Sequence, residues 1–360
     1  MAVFQIKSVA DYRNHSVLKN FVTDFLQSIN KVNLQGKRVL VKPNFLKPSF
    51  PEKAIITHPL LLTAVIEALK DSGAQIYLGD SPGFGTLEAV IKKSGLFPVI
   101  SRYDVRLADF SRPVNVKPKD TLIFRDFELP AILFECDEIV NVPKLKTHQM
   151  MVLTLAVKNL YGCIYGTKKI KFHLTAGENH DIFATFLLDL YLTIKPSVNI
   201  LDGIVGMEGE GPSSGDIRNF GFLVASDDAL VTDYKVTKLL GLKPEKVPIL
   251  KMALKNKLLL DREIVELNRY FELDSRVPLK LPRSQAVNFS VPKILNRIAK
   301  RFIFSYPKVV EHCKGCGVCL KHCPVSAIRI KNSLATIDKA KCIRCFCCQE
   351  LCEHNAISVR

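Results

Sequence analysis

Short apolar runs alternate with stretches of three- and four-residue hydrophobic spacing along most of this chain. Arg38-Val-Leu-Val41 reads as a strand, and Thr57 to Asp71 has helical periodicity, with Thr57 as its N-cap and Gly73 as its stop. Ala74-Gln-Ile-Tyr-Leu78 is the next strand, which completes a β-α-β unit. Thr86 to Ser94 reads as a helix ended by Gly95, Asp137 to Val142 as a strand, Met151 to Leu160 as a helix and Asp181 to Ile194 as another. Ser197 to Leu201 and Phe220 to Ala225 read as strands, Ala229 to Leu240 as a helix stopped by Gly241, and residues 244–275 as mostly helical with one polar side. Such alternation predicts an α/β fold over residues 1–275: a mostly parallel sheet with flanking helices.

The polar residues that interrupt this pattern fall at the carboxyl ends of the apolar runs. Lys42-Pro-Asn44 follows the first strand and Gly79-Asp80-Ser81-Pro-Gly83 the second. Pro143-Lys144-Leu-Lys146-Thr-His148 follows the third, and Asp202-Gly203 a fourth. In open parallel sheets that edge is where ligands bind. Lys42, Asn44, Asp80, Lys144, Lys146, His148 and Asp202 are therefore candidate catalytic residues converging on one crevice, with Lys158 and Asn159 added from the following helix. Pro, Gly, Asn and Asp are ordinary turn formers, but lysine and histidine are not.

The glycine-rich stretch Gly206 to Gly215 lacks both the P-loop and the dinucleotide fingerprint. Glu208 and Glu210 within it are candidates for closing over a substrate or for acid/base work, against the reading of a solvated loop. Tyr165 to His173 is basic and partly aromatic, either an anion-recognising lid or a solvated charge run. His148 and His173 are the histidines of interest.

The strongest chemical signal lies in the last fifty residues. Cys313, Cys316, Cys319 and Cys323 read C-x2-C-x2-C-x3-C, and Cys342, Cys345, Cys348 and Cys352 repeat the pattern 29 positions later. Three thiolates at this spacing wrap three irons of a [4Fe-4S] cubane while the fourth points to the other cluster. The expected sets are Cys313, Cys316, Cys319 and Cys352 for one cluster, and Cys342, Cys345, Cys348 and Cys323 for the other. The repeat of Ala327-Ile328 as Ala356-Ile357 extends the duplication. Zinc prefers separated C-x2-C pairs, and disulfide frameworks belong to short secreted chains. Glu353 replaces the proline that usually follows the last ligand, and Cys347 reads as a spare thiol because only Cys348 keeps register. Residues 308–360 are thus expected to form a small α+β dicluster ferredoxin domain of two repeats, 308–334 and 335–360. His312, His322 and His354 flank the ligands.

Composition adds a charge signature. The chain carries 51 basic and 35 acidic residues, a formal charge of +16. A surface of that kind draws anionic partners: an acidic redox donor or acceptor such as a ferredoxin or flavodoxin, a phosphorylated small molecule or a membrane surface. Nucleic acid is not expected, since there is no tryptophan and little aromatic interleaving. Residues 276–307 form a basic connector. Within it Pro292 to Phe304 reads as an amphipathic helix, packed on the main body or in peripheral contact with a membrane. Met1 to Ala10 lacks the pattern of a signal peptide and no apolar run is long enough to span a bilayer, so a cytoplasmic protein, of an anaerobe in view of the clusters, is expected. Cys163 is a candidate accessible thiol or simply a small hydrophobe, and Cys136 is expected to be buried.

Val41-Lys-Pro-Asn44, Gly79-Asp-Ser-Pro-Gly83, Asn141 to His148, Leu155-Ala-Val-Lys-Asn159 with Gly162, and Leu201 to Gly209 with Gly211-Pro212 together resemble the DUF362 family. That family is often fused to a C-terminal dicluster ferredoxin, and the resemblance implies an iron-sulfur protein without implying a substrate. Two readings of function follow. One is an oxidoreductase in which the clusters feed a reductive reaction in the crevice, Lys146 or His148 delivering a proton and Lys144 neutralising an anionic substrate. The other is a non-catalytic electron carrier or assembly and docking factor for a larger redox complex.

Overall fold

The computed structural model describes residues 2–29, 33–166, 168–259, 278–285 and 305–359. The expected helix at 292–304 and the stretch 260–275 lie outside the described residues.

Fifteen strands are present among the described residues: β1 (Phe4–Ser8), β2 (Arg38–Pro43), β3 (Gln75–Leu78), β4 (Arg106–Leu107), β5 (Pro113–Val116), β6 (Phe127–Pro130), β7 (Glu138–Val142), β8 (Lys144–His148), β9 (Val152–Thr154), β10 (Val198–Glu208), β11 (Asp216–Ser226), β12 (Pro307–Val309), β13 (Ile328–Lys331), β14 (Leu334–Ile337) and β15 (Ile357–Val359). The central sheet runs β1-β11-β10-β7-β2-β3-β4, with β8 and β9 attached along β10. Pairings from β10 through β7, β2 and β3 to β4 are parallel, and β11 joins its neighbours β1 and β10 antiparallel. Alternation places Leu40 and Ile139 on one face and Val39, Val41, Val140 and Val142 on the other, each face feeding its own apolar core. Helices His15–Ser28 and Pro59–Asp71 pack on the second face, while His180–Ile194, Ala229–Leu239 and Pro248–Lys255 pack on the first. No described helix is long and apolar enough to cross a membrane.

Several local expectations need correction. Helix Pro59–Asp71 is capped by His58, whose Nδ1 accepts from the Leu60 amide at 3.3 Å. Thr57 instead bridges two strands, accepting from the Asn44 amide at 2.8 Å and donating to the Val142 carbonyl at 2.7 Å. Met151 to Leu160 is not one helix. Val152 takes φ +66° and opens β9, and only Ala156–Asn159 is helical before a 3-10 turn at Leu160–Cys163. Lys144 to His148 is strand β8 rather than a loop, and Asp202 lies inside β10, opposite Lys144. The glycine-rich stretch is the hairpin between β10 and β11.

The C-terminal module is duplicated in backbone as well as in sequence. Left-handed φ angles at Gly315, Gly317 and Ser326 recur at Arg344, Phe346 and Asn355, each 29 positions on. Non-glycine residues in this region cost about 1–2 kcal/mol each, so the turn geometry is imposed by the loop. β12 pairs β15 and β13 pairs β14, both antiparallel.

Candidate functional site

A row of buried polar residues crosses the sheet at one register. Lys42 on β2 stands beside Asn141 on β7, Asn141 beside Asn199 on β10, and Asn199 beside Ser226 on β11. Buried polar groups of this kind must be paired, and these are. Asn141 Nδ2 donates to Asn199 Oδ1 at 2.9 Å and to the Ala156 carbonyl at 3.0 Å, and Asn159 Nδ2 donates to Asn141 Oδ1 at 2.8 Å. Lys42 Nζ donates to Asp80 Oδ1 at 2.9 Å and to the Pro43 carbonyl at 2.9 Å. The Phe45 and Ser81 amides complete the shell of Asp80, at 2.8 and 2.9 Å.

Lys144 and Asp202 form a second closed pair. Lys144 Nζ reaches Asp202 Oδ2 at 2.8 Å, and Tyr12 donates its hydroxyl to Asp202 Oδ1 at 2.6 Å while accepting from Lys144 at 2.9 Å. Both charges are at most 1% exposed. His58 stacks on Tyr12 at 3.7 Å, and its pKa is pushed down to about 4, chiefly by burial.

A cavity of about 370 Å³ opens where the α/β body meets the cysteine module. Of the ten candidate residues, Asn44, Asp80, Lys146, Lys158 and Asn159 line it; Lys42, Lys144, His148, Asp202 and Glu208 do not. The crevice bounded by Lys42, Asp80, Lys144 and Asp202 is therefore corrected: Asp80 alone of these four faces the cavity. Glu208 pairs with Arg218 at 3.0 Å on the β10–β11 hairpin, and Glu210 accepts from Gln149 at 2.8 Å. Cys163 is wholly buried, its thiol pushed up to about 12 by burial, so it is not an accessible thiol. Cys136 is only half-buried, against the expected burial.

The far wall comes from the module itself, through the short helix Cys347–Leu351. Cys347, Glu350 and Leu351 face the cavity, with Lys321 and His322 at its rim. Body residues clamp this helix. Lys47 Nζ donates to the Glu350 and Cys352 carbonyls at 3.1 and 3.0 Å, Ser213 Oγ to the Glu350 carbonyl at 2.8 Å, and Gln349 Nε2 to the Glu210 carbonyl at 2.8 Å. His148 Nδ1 accepts from the Met150 and Met151 amides at 3.1 and 3.2 Å. Its proton therefore sits on Nε2, 2.8 Å from Glu350 Oε1 but out of line for a good hydrogen bond. Burial, with Lys158 adding to it, holds His148 down to about 4, so the histidine is neutral. Burial would raise Glu350, but its interaction with His148 and the nearby charge of Lys158 outweigh it and keep the carboxylate ionised.

Lys146 and Lys158 are both lowered by burial, Lys146 further because Lys158 adds repulsion. Lys146 Nζ donates to Asn44 Oδ1 and the Ile55 carbonyl, each at 2.7 Å. Lys158 Nζ lies 5.5 Å from the Tyr161 ring centroid. Lys169 from the basic 165–173 run donates to the Ser81 carbonyl, and His173 from the same run lines the cavity. Sequence reasoning missed Tyr12 and Glu350; it named the basic run that carries Lys169, and it did not place Cys347, read as a spare thiol, on the cavity wall. The signal for Glu350 was its register with Lys321, 29 positions earlier in the repeat.

The cysteines fall into two groups. Cys313, Cys316, Cys319 and Cys352 line one small hollow with Gly315 and Gly317. A Cβ on Gly315 would meet the Ser333 carbonyl at 2.5 Å, so the turn admits only glycine there. Cys323, Cys342, Cys345 and Cys348 also lie near one another, with Cys319 of the first group beside Cys348. Ala327 and Ala356 donate backbone N–H bonds to Cys323 and Cys352 Sγ, each at 3.2 Å, again 29 positions apart. Among the described residues no three His, Cys, Asp or Glu side chains close on one point as a mononuclear ion requires. A soft, all-thiolate donor set with N–H bonds to sulfur fits an iron-sulfur cluster. Cys316 is exposed, whereas Cys345 packs in the core of the α/β body.

The family described as a domain of unknown function, DUF362, matches residues 39–238, and the 4Fe-4S binding domain matches residues 306–329. A thylakoid-associated protein of Synechocystis is 33% identical over 283 residues, 77% of this chain and 86% of that protein. One component of an ion-translocating oxidoreductase complex from Methanosarcina acetivorans is 46% identical over 48 residues, 13% of this chain and 18% of that component. The lactate racemase apoprotein of Thermoanaerobacterium thermosaccharolyticum superposes with a TM-score of 0.41 at 16% identity, covering 65% of this chain and 56% of that one.

Proposed function

The chain belongs to the DUF362 family and carries a 4Fe-4S binding motif, and from that premise we propose that it is an electron-transfer protein with two [4Fe-4S] clusters that serves a reductive reaction in the cavity between body and module. The observation that carries this reading is the shared wall: Cys347, next to the ligand candidate Cys348, lines the same cavity as Asp80, Lys146 and Lys158. Cys313, Cys316, Cys319 and Cys352 would hold the outer cluster, and Cys323, Cys342, Cys345 and Cys348 the inner. When bound, the clusters would supply single electrons. The residues of the chain do the rest. Lys146 and Lys158 supply positive charge in a site shielded from water, where it counts most. The clamp of Lys47, Ser213 and Gln349 fixes the inner thiolates against the body. An acidic redox partner would dock near the exposed Cys316.

Anaerobic purification with iron and labile-sulfide analysis, followed by EPR of the dithionite-reduced protein, tests this. About eight irons per chain and a spin-coupled spectrum are expected. Four irons would remove one cluster, and none would overturn the proposal. The carrier or docking-factor reading is favoured by the +16 charge, which suits a large acidic partner. It predicts intact cluster reduction and partner docking with no compound turned over.

A further inference from the structure

The cavity has a chemical bias that the proposed function does not specify. Four lysines line it, Lys146, Lys158, Lys169 and Lys321, against two carboxylates, Asp80 and Glu350. Asp80 is already engaged by Lys42 and two backbone amides, while Glu350 Oε1 lies 2.8 Å from His148 Nε2 without a formed hydrogen bond. The lysines are not used up in the same way. An ammonium has three donors, and Lys146 commits only two of them, to Asn44 and Ile55. Lys158 Nζ makes no hydrogen bond to any described residue; its contact is with the face of Tyr161.

Besides Glu350 Oε1, two polar atoms of the lining residues stand without partners. Thr154 Oγ1 and His173 Nδ1 are buried and unbonded, in residues 4% and 5% exposed. Leaving such an atom unmet costs about 1–3 kcal/mol, a cost a ligand would relieve. Part of the wall is apolar, formed by Phe45, Leu46, Phe84 and Leu351.

Resting on the reading of this cavity as a substrate site, we infer that its ligand is a small organic anion: an anionic oxygen headgroup, carboxylate or phosphate, met by Lys158 and Lys146 with Thr154 and His173 completing the shell, on an apolar body held by Phe45, Phe84 and Leu351. A volume of about 370 Å³ suits a small molecule and is near the lower bound for such sites. A charged headgroup also offsets the burial of two neighbouring lysines, which a neutral ligand cannot do.

The test is binding, measured calorimetrically on the oxidised, cluster-loaded protein under argon, so that no electron transfer is required. The probes are phenylacetate, phenyl phosphate and the neutral phenylacetamide. At least one anion is expected to bind about tenfold or more tighter than the amide, the worth of a charge-assisted hydrogen bond, and the tighter of the two identifies the headgroup. Lys158→Met is expected to abolish the difference and Lys158→Arg to retain most of it. Equal affinity for anions and amide, or no binding by any probe, overturns the inference, and this comparison holds in the unsubstituted protein even if the methionine variant does not fold. Anion binding in a protein whose clusters no compound reoxidises would instead remove the reductive reading and leave the anion site standing.

Discussion

Gly162 is the position at which a single methyl group should do the most damage per atom. It sits in the 3-10 turn after helix Ala156–Asn159, and its carbonyl accepts from the Ser81 amide at 3.1 Å, which draws the turn against the strand-end loop that carries Asp80. A Cβ there would lie 2.0 Å from Asp80 Oδ1 and 2.5 Å from Lys42 Nζ. Ordinary contact begins at 3.4 Å, so the carboxylate oxygen would have to retreat by about 1.4 Å, more than a hydrogen bond of normal length survives. The oxygen bonds both Lys42 and the Ser81 amide at 2.9 Å. Lys42 is fully buried and Asp80 is 5% exposed, and breaking a buried pair costs about 3–5 kcal/mol. For a body of this size that is roughly 6–20 °C in Tm. Gly162→Ala should therefore unfold well below the parent in anaerobic thermal scans followed by circular dichroism. Against a Lys42→Met, Asp80→Asn background, where no ion pair remains to be broken, the same alanine should cost much less. A Gly162→Ala protein melting within about 1 °C of the parent would refute the argument.

Three further perturbations probe other parts of the account. Tyr12→Phe removes the hydroxyl that bridges Asp202 and Lys144; a loss of about 1.5–3 kcal/mol is expected in denaturant titration, the range for hydrogen bonds to charged groups. Lys47→Met removes the ammonium that bonds the Glu350 and Cys352 carbonyls, leaving only Ser213 on Glu350, so hydrogen exchange should accelerate in Cys347–Leu351 while the sheet amides stay protected. His58, lowered by burial to about 4 from 6.5, should make stability pH-dependent: its folded pKa lies below its unfolded one, so stability is full above about pH 6.5 and falls as the pH drops toward 4. Between pH 7.5 and 5.5 the loss is about 1.4 kcal/mol, and His58→Asn, which keeps a capping oxygen for Leu60, should flatten that part of the profile relative to the parent.

Much of the architecture was legible because period-two and period-3.6 patterns dominate the buried elements. The β-α-β unit through Leu78, the cap at Thr86 and the stop at Gly95 all follow from local rules. Three things were not. Strand β1 and helix His15–Ser28 went unread although Leu18, Phe21, Val22 and Phe25 carry a helical stripe, because the reading began at the first strongly apolar strand. Met151 to Leu160 is helical by periodicity but is broken by Val152 in the left-handed region, a tertiary constraint imposed where β9 pairs back on β8. The polar residues at strand ends stand out in the sequence, yet polarity cannot separate Lys144 and Asp202, closed on each other and Tyr12, from Lys146 and Lys158, which face a cavity. That distinction depends on β8 continuing past Pro143 alongside β10, and on a helix contributed from about two hundred residues further along the chain.

The central claim, that electrons held by the cysteine module serve a compound in this cavity, is tested most directly by reoxidation. The protein is reduced with dithionite, freed of excess reductant and mixed under argon with anion-exchange fractions of small molecules from cell extract, while the reduced-cluster EPR signal is followed. The account predicts that at least one fraction bleaches the signal in the parent, and that Lys158→Met, with its iron content unchanged, is reoxidised at least tenfold more slowly by the same fraction, in proportion to the lost headgroup contact. Equal reoxidation of the two proteins would mean that electrons leave by another route, and would contradict the assignment of the cavity as the place where they are used.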